Sequence, residues 1–186
     1  MSIPTPTNLR GKELLLHIMK LVEAEYASGP AVDDIYGNKA GHWDQHTWMD
    51  VNPDAYNDDI SILRVSPAYL HHPELKALYR ITLPYIPTNS CGTAGCFAGH
   101  TVAAVGDSAS VYMFGDEVDS DGHINLGGSK LEINRVIPVE GGPELEVPTR
   151  ARKLLGLTVD QAEELFSPRN SIHQLRALVD RFSSEM

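Results

Sequence analysis

Two cysteines, Cys91 and Cys96, are the side chains of this chain best suited to covalent chemistry. They belong to a run of small residues that predicts a buried helix over residues 91–106. A thiol at a helix N-terminus has a lowered pKa, because unpaired backbone N–H groups and the helix dipole favour the thiolate. A cysteine at the start of this helix, as Cys91 is predicted to be, would therefore be reactive. Cys96 lies further along and is expected to be a small buried apolar residue.

A cysteine hydrolase or acyl transferase can be assembled from Cys91, His123 and Asn134, which occur in this order. The order resembles that of papain-like and transglutaminase-like enzymes, in which a histidine and then an Asp or Asn follow the cysteine. In this hypothesis His123 removes the thiol proton and Asn134 orients the imidazole. Backbone N–H groups at the helix start, together with Asn89, hold an oxyanion. The alternative, which we favour, is that both cysteines only pack inside a tight helix.

The segment Cys91 to His100, with the sequence CGTAGCFAGH, resembles the CGTxxCxAG[WH] signature of a group of small uncharacterised bacterial and phage proteins. In that group a segment like LGLTxxQAxxLF follows, and Leu155 to Phe166 matches it. A segment containing Trp precedes the signature, as Trp43 and Trp48 do here. The resemblance covers about half of the chain. It implies a shared fold and a phage or mobile-element background, but no established activity.

Aromatic and polar residues before and within this segment are candidates for binding. Aromatic rings in proline-rich loops make good surfaces for proteins or small ligands. Equally, such residues can close over a core, and both interpretations stay open. The candidate binding residues are Trp43, Trp48, Asn89 and His100.

Histidines and acidic residues at close spacing do not complete a metal site. His42 and His46 lie four residues apart, as two zinc ligands on one helix face do. The glutamate of the HExxH motif is missing, however, and Gly41 disfavours a helix. The acidic stretch Glu117 to Asp121 resembles the start of a calcium-binding loop, but Gly128 stands where the closing glutamate belongs. We predict neither a metal ion nor another cofactor.

The net charge argues against two classes of partner. Among 186 residues, 15 Lys and Arg stand against 25 Asp and Glu, which leaves a formal charge of -10. Proteins that coat nucleic acid or an anionic membrane need a basic face. The C-terminal helices suggest a helix-turn-helix, but their charges are nearly balanced and the last helix offers only Arg176 and Arg181. We expect a protein or a small ligand as the partner, and neither nucleic acid nor a membrane.

The expected compartment is the cytoplasm. Two cysteines are too few for a disulfide-dense secreted scaffold or for a zinc site of four thiolates from one chain. Residues Met1 to Asn8 lack the basic and apolar stretches of a signal peptide. The most apolar stretch, Cys96 to Val105, is far too short to span a bilayer. In the cytoplasm both thiols stay reduced.

The first half of the chain predicts one clear helix and a long connection. The helix covers residues 9–27, where Leu14, Ile18, Leu21 and Val22 form an apolar stripe. Residues 31–59 are polar with aromatic members and predict a long connection. Glu74 to Tyr79 predicts one or two helical turns after a proline.

The second half predicts a sheet followed by helices. Residues 110–138 favour a small antiparallel sheet of about three strands, drawn from Val111 to Phe114, His123 to Leu126 and Leu131 to Ile133. Residues 147–184 predict helices. Two capping boxes mark helix starts, from Thr158 to Gln161 and from Ser171 to Gln174.

These elements predict a single α+β domain over residues 1–186. It is mainly helical, with a small antiparallel sheet between the buried cysteine-containing helix and a C-terminal helical layer. The leading hypothesis for function is a non-enzymatic cytosolic accessory protein that binds a protein or a small ligand. By its resemblance, it is encoded by a phage or a mobile element. The alternative is the cysteine-dependent hydrolase or acyl transferase that uses Cys91, His123 and Asn134.

Overall fold

A computed structural model describes residues 6–28, 49–51, 61–65, 78–86, 94–114 and 131–186 of the chain. The helices in these ranges are α1 (Gly11–Ser28), α2 (Phe97–Ala104), α3 (Val147–Leu155), α4 (Val159–Leu165) and α5 (Ile172–Glu185). The strands are β1 (Met49–Val51), β2 (Ser61–Val65), β3 (Leu78–Leu83), β4 (Ala94–Gly95), β5 (Ser108–Phe114), β6 (Leu131–Glu132), β7 (Arg135–Ile137) and β8 (Leu145–Glu146). The fold is α+β and mainly helical, as the sequence predicts. Among the described helices, none is both long and apolar enough to cross a membrane.

The strands form two antiparallel sheets. One has five strands in the order β2-β3-β5-β7-β8, and the other has three in the order β4-β1-β6. The larger sheet exceeds the predicted three strands, because β2 and β3 precede the cysteine segment in sequence and β3 pairs with β5. The predicted strand from Leu131 to Ile133 corresponds to β6, which pairs with β1 in the other sheet, so its placement in one sheet with β5 was wrong, and β7 pairs with β5 instead. The predicted strand from His123 to Leu126 lies outside the described residues.

Strand β3 corrects the prediction of helical turns up to Tyr79. Leu78 and Tyr79 begin β3, which pairs with β2 on one side and with β5 on the other. Further along the strand, Ile81 and Leu83 are buried in the core. Hydrogen bonds to two neighbouring strands and burial of alternate side chains outweigh a weak local preference for helix.

One face of the five-stranded sheet belongs to the core. Ile81, Leu83, Ala109, Val111 and Val136 are buried on this face. Successive side chains of a strand point to opposite faces, so the intervening residues of β3, β5 and β7 lie on the outer face. Those intervening residues are mostly polar or charged.

The helical layer is built around α1. The helix predicted over residues 9–27 runs from Gly11 to Ser28, and Leu14, Ile18 and Val22 of the predicted stripe are fully buried. Helix α1 packs against α2 and α5, and α2 packs against α3. The apolar stripe is therefore the face that joins the helices.

The cysteine-containing helix starts later than predicted. Helix α2 begins at Phe97, and Cys96 occupies its N-cap position. Before it, Ala94 and Gly95 form β4 and pair with β1, so these two residues are extended and not helical. The prediction that a helix starts at Cys91 is therefore wrong. Cys91 itself lies outside the described residues, and Cys96 is buried.

The long connection predicted over residues 31–59 contains a strand. Most of it lies outside the described residues, but Met49–Val51 form β1. This strand is the centre of the three-stranded sheet, with β4 on one side and β6 on the other. Its partners are distant in the sequence, so the local composition carries no sign of the pairing.

The C-terminal helices begin at the predicted caps. The Thr158 hydroxyl accepts a hydrogen bond from the Gln161 backbone N–H at 3.2 Å, and the Gln161 side chain accepts one from the Thr158 N–H at 3.0 Å. Ser171 and Gln174 form the same reciprocal pair at the start of α5. Gly156 ends α3 with a φ of 67°, a left-handed conformation that glycine adopts at little steric cost.

Candidate functional site

The structure describes two of the residues proposed from the sequence for catalysis or binding, Asn134 and His100. The others lie outside the described residues, as do the histidines weighed as metal ligands. These are Trp43, Trp48, Asn89, Cys91 and His123, with His42 and His46.

Asn134 lies between β6 and β7 and is exposed. Its backbone carbonyl accepts a hydrogen bond from the Val147 N–H at 3.0 Å, which ties the sheet to the first residue of α3. The described residues therefore assign Asn134 a structural contact. Its catalytic role stays a prediction.

His100 lies inside the helical layer, with 1 % of its side chain exposed. Its Nε2 atom is 3.1 Å from Oε2 of Glu25 on α1. The backbone N–H of His100 donates to the Cys96 carbonyl at 3.0 Å, in the first turn of α2. The imidazole thus joins α2 to α1 and presents little surface to a ligand.

Burial changes the protonation of the Glu25 carboxyl group. Desolvation raises the pKa of its carboxyl group from 4.5 to about 8, because the charged form loses its hydration inside the protein. The side chain therefore holds a proton at neutral pH, with its Oε2 atom 3.1 Å from Nε2 of His100. This arrangement couples α1 to α2 in a pH-dependent way.

A groove between α3 and α4 has a cavity volume of about 420 Å³. We call it the α3–α4 groove. Its floor is apolar, since Ala162 and Phe166 are buried there. The residues that line it are Pro148, Thr149, Arg152, Val159, Ala162, Glu163, Phe166, Ser167 and Pro168.

The rim of the groove is open to solvent. Val159 is 55 % exposed although it is apolar, and Glu163 and Pro168 are exposed as well. Arg152, in the last turn of α3, lines the groove beside this apolar surface. No hydrogen bond or ion pair joins the Arg152 guanidinium to another residue within the described ranges. The groove therefore offers an apolar floor with an available cation at its edge.

Helix α3 is held in place by three charged residues, which we call the Arg150 network: Asp107, Glu140 and Arg150. Arg150 donates to both carboxylate oxygens of Asp107, at 2.8 and 3.0 Å, and to both of Glu140, at 2.6 and 2.7 Å. Asp107 also accepts from the Val139 N–H at 2.9 Å. The hydrogen bonds to Arg150 lower the pKa of Glu140 to about 2. The network fixes the start of α3 and hence one wall of the groove.

The reasoning from sequence alone did not identify the groove or the network. A signal for the groove exists: Val159, Ala162 and Phe166 are spaced i, i+3 and i+7, which places them on one face of α4. The network has no comparable signal, because Asp107 and Arg150 are distant in sequence and meet only in the folded chain.

Comparisons with protein-family models, with curated proteins and with solved structures found no match. The resemblance of CGTAGCFAGH to a group of bacterial and phage proteins therefore stays a prediction.

Proposed function

We propose that this protein is a non-enzymatic binding protein that holds a short segment of a partner protein in the α3–α4 groove. The observation that carries the proposal is an apolar floor beneath an exposed rim, with Val159 apolar and 55 % exposed. The volume lies within the usual range for ligand sites. Small molecules are usually enclosed on most sides. An open groove suits a peptide that lies across it.

The charged residues that line the groove indicate which side chains the partner segment carries. Arg152 offers a guanidinium at the edge of the groove, and arginine is a frequent anchor at protein interfaces. Glu163 lines the groove as well and disfavours a second acidic group near it. The partner segment therefore carries apolar side chains for the floor and one acidic side chain for Arg152.

The cellular context of the proposal comes from the sequence. With two cysteines, the protein suits the reducing cytoplasm. Its resemblance to bacterial and phage proteins favours an accessory role encoded by a phage or a mobile element. The hydrolase hypothesis is not part of the proposal, because the helix start that would activate Cys91 lies at Cys96 instead.

A yeast-displayed library of random peptides tests the proposal. The immobilised protein selects peptides, and fluorescence anisotropy then measures the affinity of each enriched peptide. We expect enriched peptides to combine apolar residues with one acidic residue. Val159→Lys should weaken their binding by about tenfold or more, because it places a charge on the apolar rim.

Val139→Lys is the matched control. Val139 is 56 % exposed, close to the 55 % of Val159, but it does not line the groove. The peptides should bind this variant about as well as the unchanged protein. A library that yields no enriched peptide, or peptides that both variants bind equally well, would contradict the proposal.

A further inference from the structure

The outer face of the five-stranded sheet carries a group of polar side chains that we call the Glu144 cluster: Arg80, Ser110, Tyr112, Arg135 and Glu144. Arg80 on β3 pairs in register with Tyr112 on β5, and Ser110 on β5 pairs with Arg135 on β7. Directly paired residues of antiparallel strands lie on the same face. Four of the five side chains are thus brought together by the register of three neighbouring strands.

The fifth member, Glu144, occupies the centre of this group. Its Oε1 atom accepts hydrogen bonds from the Ser110 hydroxyl at 2.9 Å and from Nη1 of Arg80 at 3.3 Å. Its Oε2 atom accepts one from the Tyr112 hydroxyl at 2.9 Å and lies 3.5 Å from Nε of Arg135. A single carboxylate therefore faces two guanidinium groups and two hydroxyl groups.

The Glu144 cluster has more donors and more positive charge than Glu144 can satisfy. Two guanidiniums contact one carboxylate, so positive charge exceeds negative charge by one among these five side chains, in a chain whose formal charge is -10. Glu146 on β8 pairs in register with Arg135 and lies on the same face, where it is exposed to solvent. The Nε atom of Arg80 is buried and donates to no residue of the described chain. Burial and the hydrogen bond to Glu144 raise the pKa of Tyr112, so its hydroxyl remains a donor at neutral pH.

Glu144 is also the member of the cluster that can leave most easily. The other four side chains belong to paired strands, whereas Glu144 follows a turn that contains Gly141 and Gly142. Both glycines have positive φ, 87° and 115°, and a Cβ built on either would meet no atom within 4 Å. The turn lies open to solvent. Glu144 directly precedes β8, which pairs with β7, so only its side chain has to turn away from the donors while the strands stay paired.

We propose that the Glu144 cluster is a binding site for a phosphate monoester, and that Glu144 occupies it as an internal substitute for that ligand. A phosphate monoester dianion balances the charge of Arg80 and Arg135, which the single charge of Glu144 does not. It offers three terminal oxygens to the four donor groups, whereas a carboxylate offers two. The incoming phosphate displaces Glu144 from the same donors. This site lies on the outer face of the sheet and is independent of the α3–α4 groove.

Glu144→Gln tests the proposal, because it removes the competing charge and leaves the four donors in place. Isothermal titration calorimetry at low ionic strength measures the binding of phenyl phosphate and of a phosphoserine-containing peptide to this variant and to the unchanged protein. We expect at least one of the two to bind the variant about tenfold more tightly. The tighter probe identifies the source of the phosphate, either a small molecule or a modified protein. Failure of both to bind the variant overturns the proposal.

Glu140→Gln is the matched control. It removes one negative charge from the same turn, so the net charge of the two variants is equal. Its guanidinium partner Arg150 keeps Asp107, and we expect no gain in phosphate binding. Adding Arg135→Gln to Glu144→Gln should abolish the gain. Equal binding by the Glu144 and Glu140 variants would mean that phosphate responds only to overall charge, and would overturn the proposal.

The charge of the ligand provides a second readout. A phosphate monoester gains its second charge with a pKa of about 6. Binding of phenyl phosphate to the Glu144→Gln variant should therefore weaken several-fold between about pH 8 and about pH 5. Sulfate is a dianion over this whole range, and its binding should change little. Circular dichroism at both pH values shows whether the variant stays folded. An affinity for phenyl phosphate that does not change with pH would contradict the requirement for a dianion.

Discussion

The Arg150 network and the Glu144 cluster combine the same kinds of side chain in opposite proportions. In the Arg150 network one guanidinium lies between two carboxylates, and the Asp107 side chain is fully buried. In the Glu144 cluster one carboxylate, with 16 % of its side chain exposed, lies among two guanidiniums and two hydroxyls. The first group has an excess of acceptors and joins α3 to the sheet. The second has an excess of donors and faces outward.

Burial decides what each group can do. A buried ion pair that loses one partner leaves a charge without water or a counter-ion, so Arg150 and Asp107 must both be present for the fold to be stable, whereas Glu140 is 55 % exposed. Partly exposed charges regain water when they separate, so the Glu144 cluster can exchange its carboxylate for another anion at small cost. The same chemistry therefore supports structure in one place and ligand exchange in the other.

The largest effect is expected from Arg150→Met. This change leaves Asp107 buried without its guanidinium partner and should lower the free energy of unfolding by about 3–5 kcal/mol. Urea denaturation followed by circular dichroism measures the change. Arg176→Met is the control, because Arg176 pairs with Glu23 on the surface and both side chains are more than a third exposed. Arg176→Met should lower the free energy of unfolding by less than about 1 kcal/mol. Equal losses in the two variants would show that burial does not decide how much an ion pair contributes to stability.

A second effect on stability is expected from a substitution of Glu25. Its buried carboxyl group contacts an imidazole instead of an arginine. Its pKa is about 8 in the folded protein, whereas that of Glu140, which is paired with Arg150, is about 2. The folded protein keeps the Glu25 proton, so its contribution to stability is complete below about pH 4.5 and is lost as the pH rises through about 8.

Glu25→Gln keeps a polar group beside His100 and removes this titration. At about pH 9 the free energy of unfolding of the variant should exceed that of the unchanged protein by about 4 kcal/mol, and at about pH 5 the two should differ by less than about 1 kcal/mol. Urea denaturation at both pH values measures the difference. If the free energies of unfolding of the two proteins differed by the same amount at both pH values, burial would not shift the pKa of Glu25 as described.

The smallest effect on stability is expected from Glu144→Gln. The two arginines and Tyr112 are partly exposed, and the strands that carry the donors are paired without Glu144, so the free energy of unfolding should change by less than about 1 kcal/mol. The same urea denaturation measures it beside Arg150→Met. A loss as large as that of Arg150→Met would make Glu144 a structural residue and remove the contrast between the two groups.

Features that depend on neighbouring residues were predictable. The caps at Thr158 and Ser171 form as expected, because a capping box joins residues only three apart. The stripe of α1 is buried for the same local reason. The start of the cysteine-containing helix was not predictable in this way, since Ala94 and Gly95 are drawn into a strand by β1. The composition of that segment contains no information about its partner.

The fold class, the starts of the C-terminal helices and the apolar face of α1 follow from the amino-acid sequence, since helical periodicity and capping act over a few residues. Which charged groups meet depends on the folding of distant segments against one another. Asp107 reaches Arg150, His100 reaches Glu25, and Glu144 reaches two arginines on different strands. These contacts depend on strand register and helix packing between distant segments. The burial that accompanies these contacts raises the pKa of the Glu25 carboxyl group. The contacts also decide which ion pairs stabilise the fold and which charged group a ligand can displace.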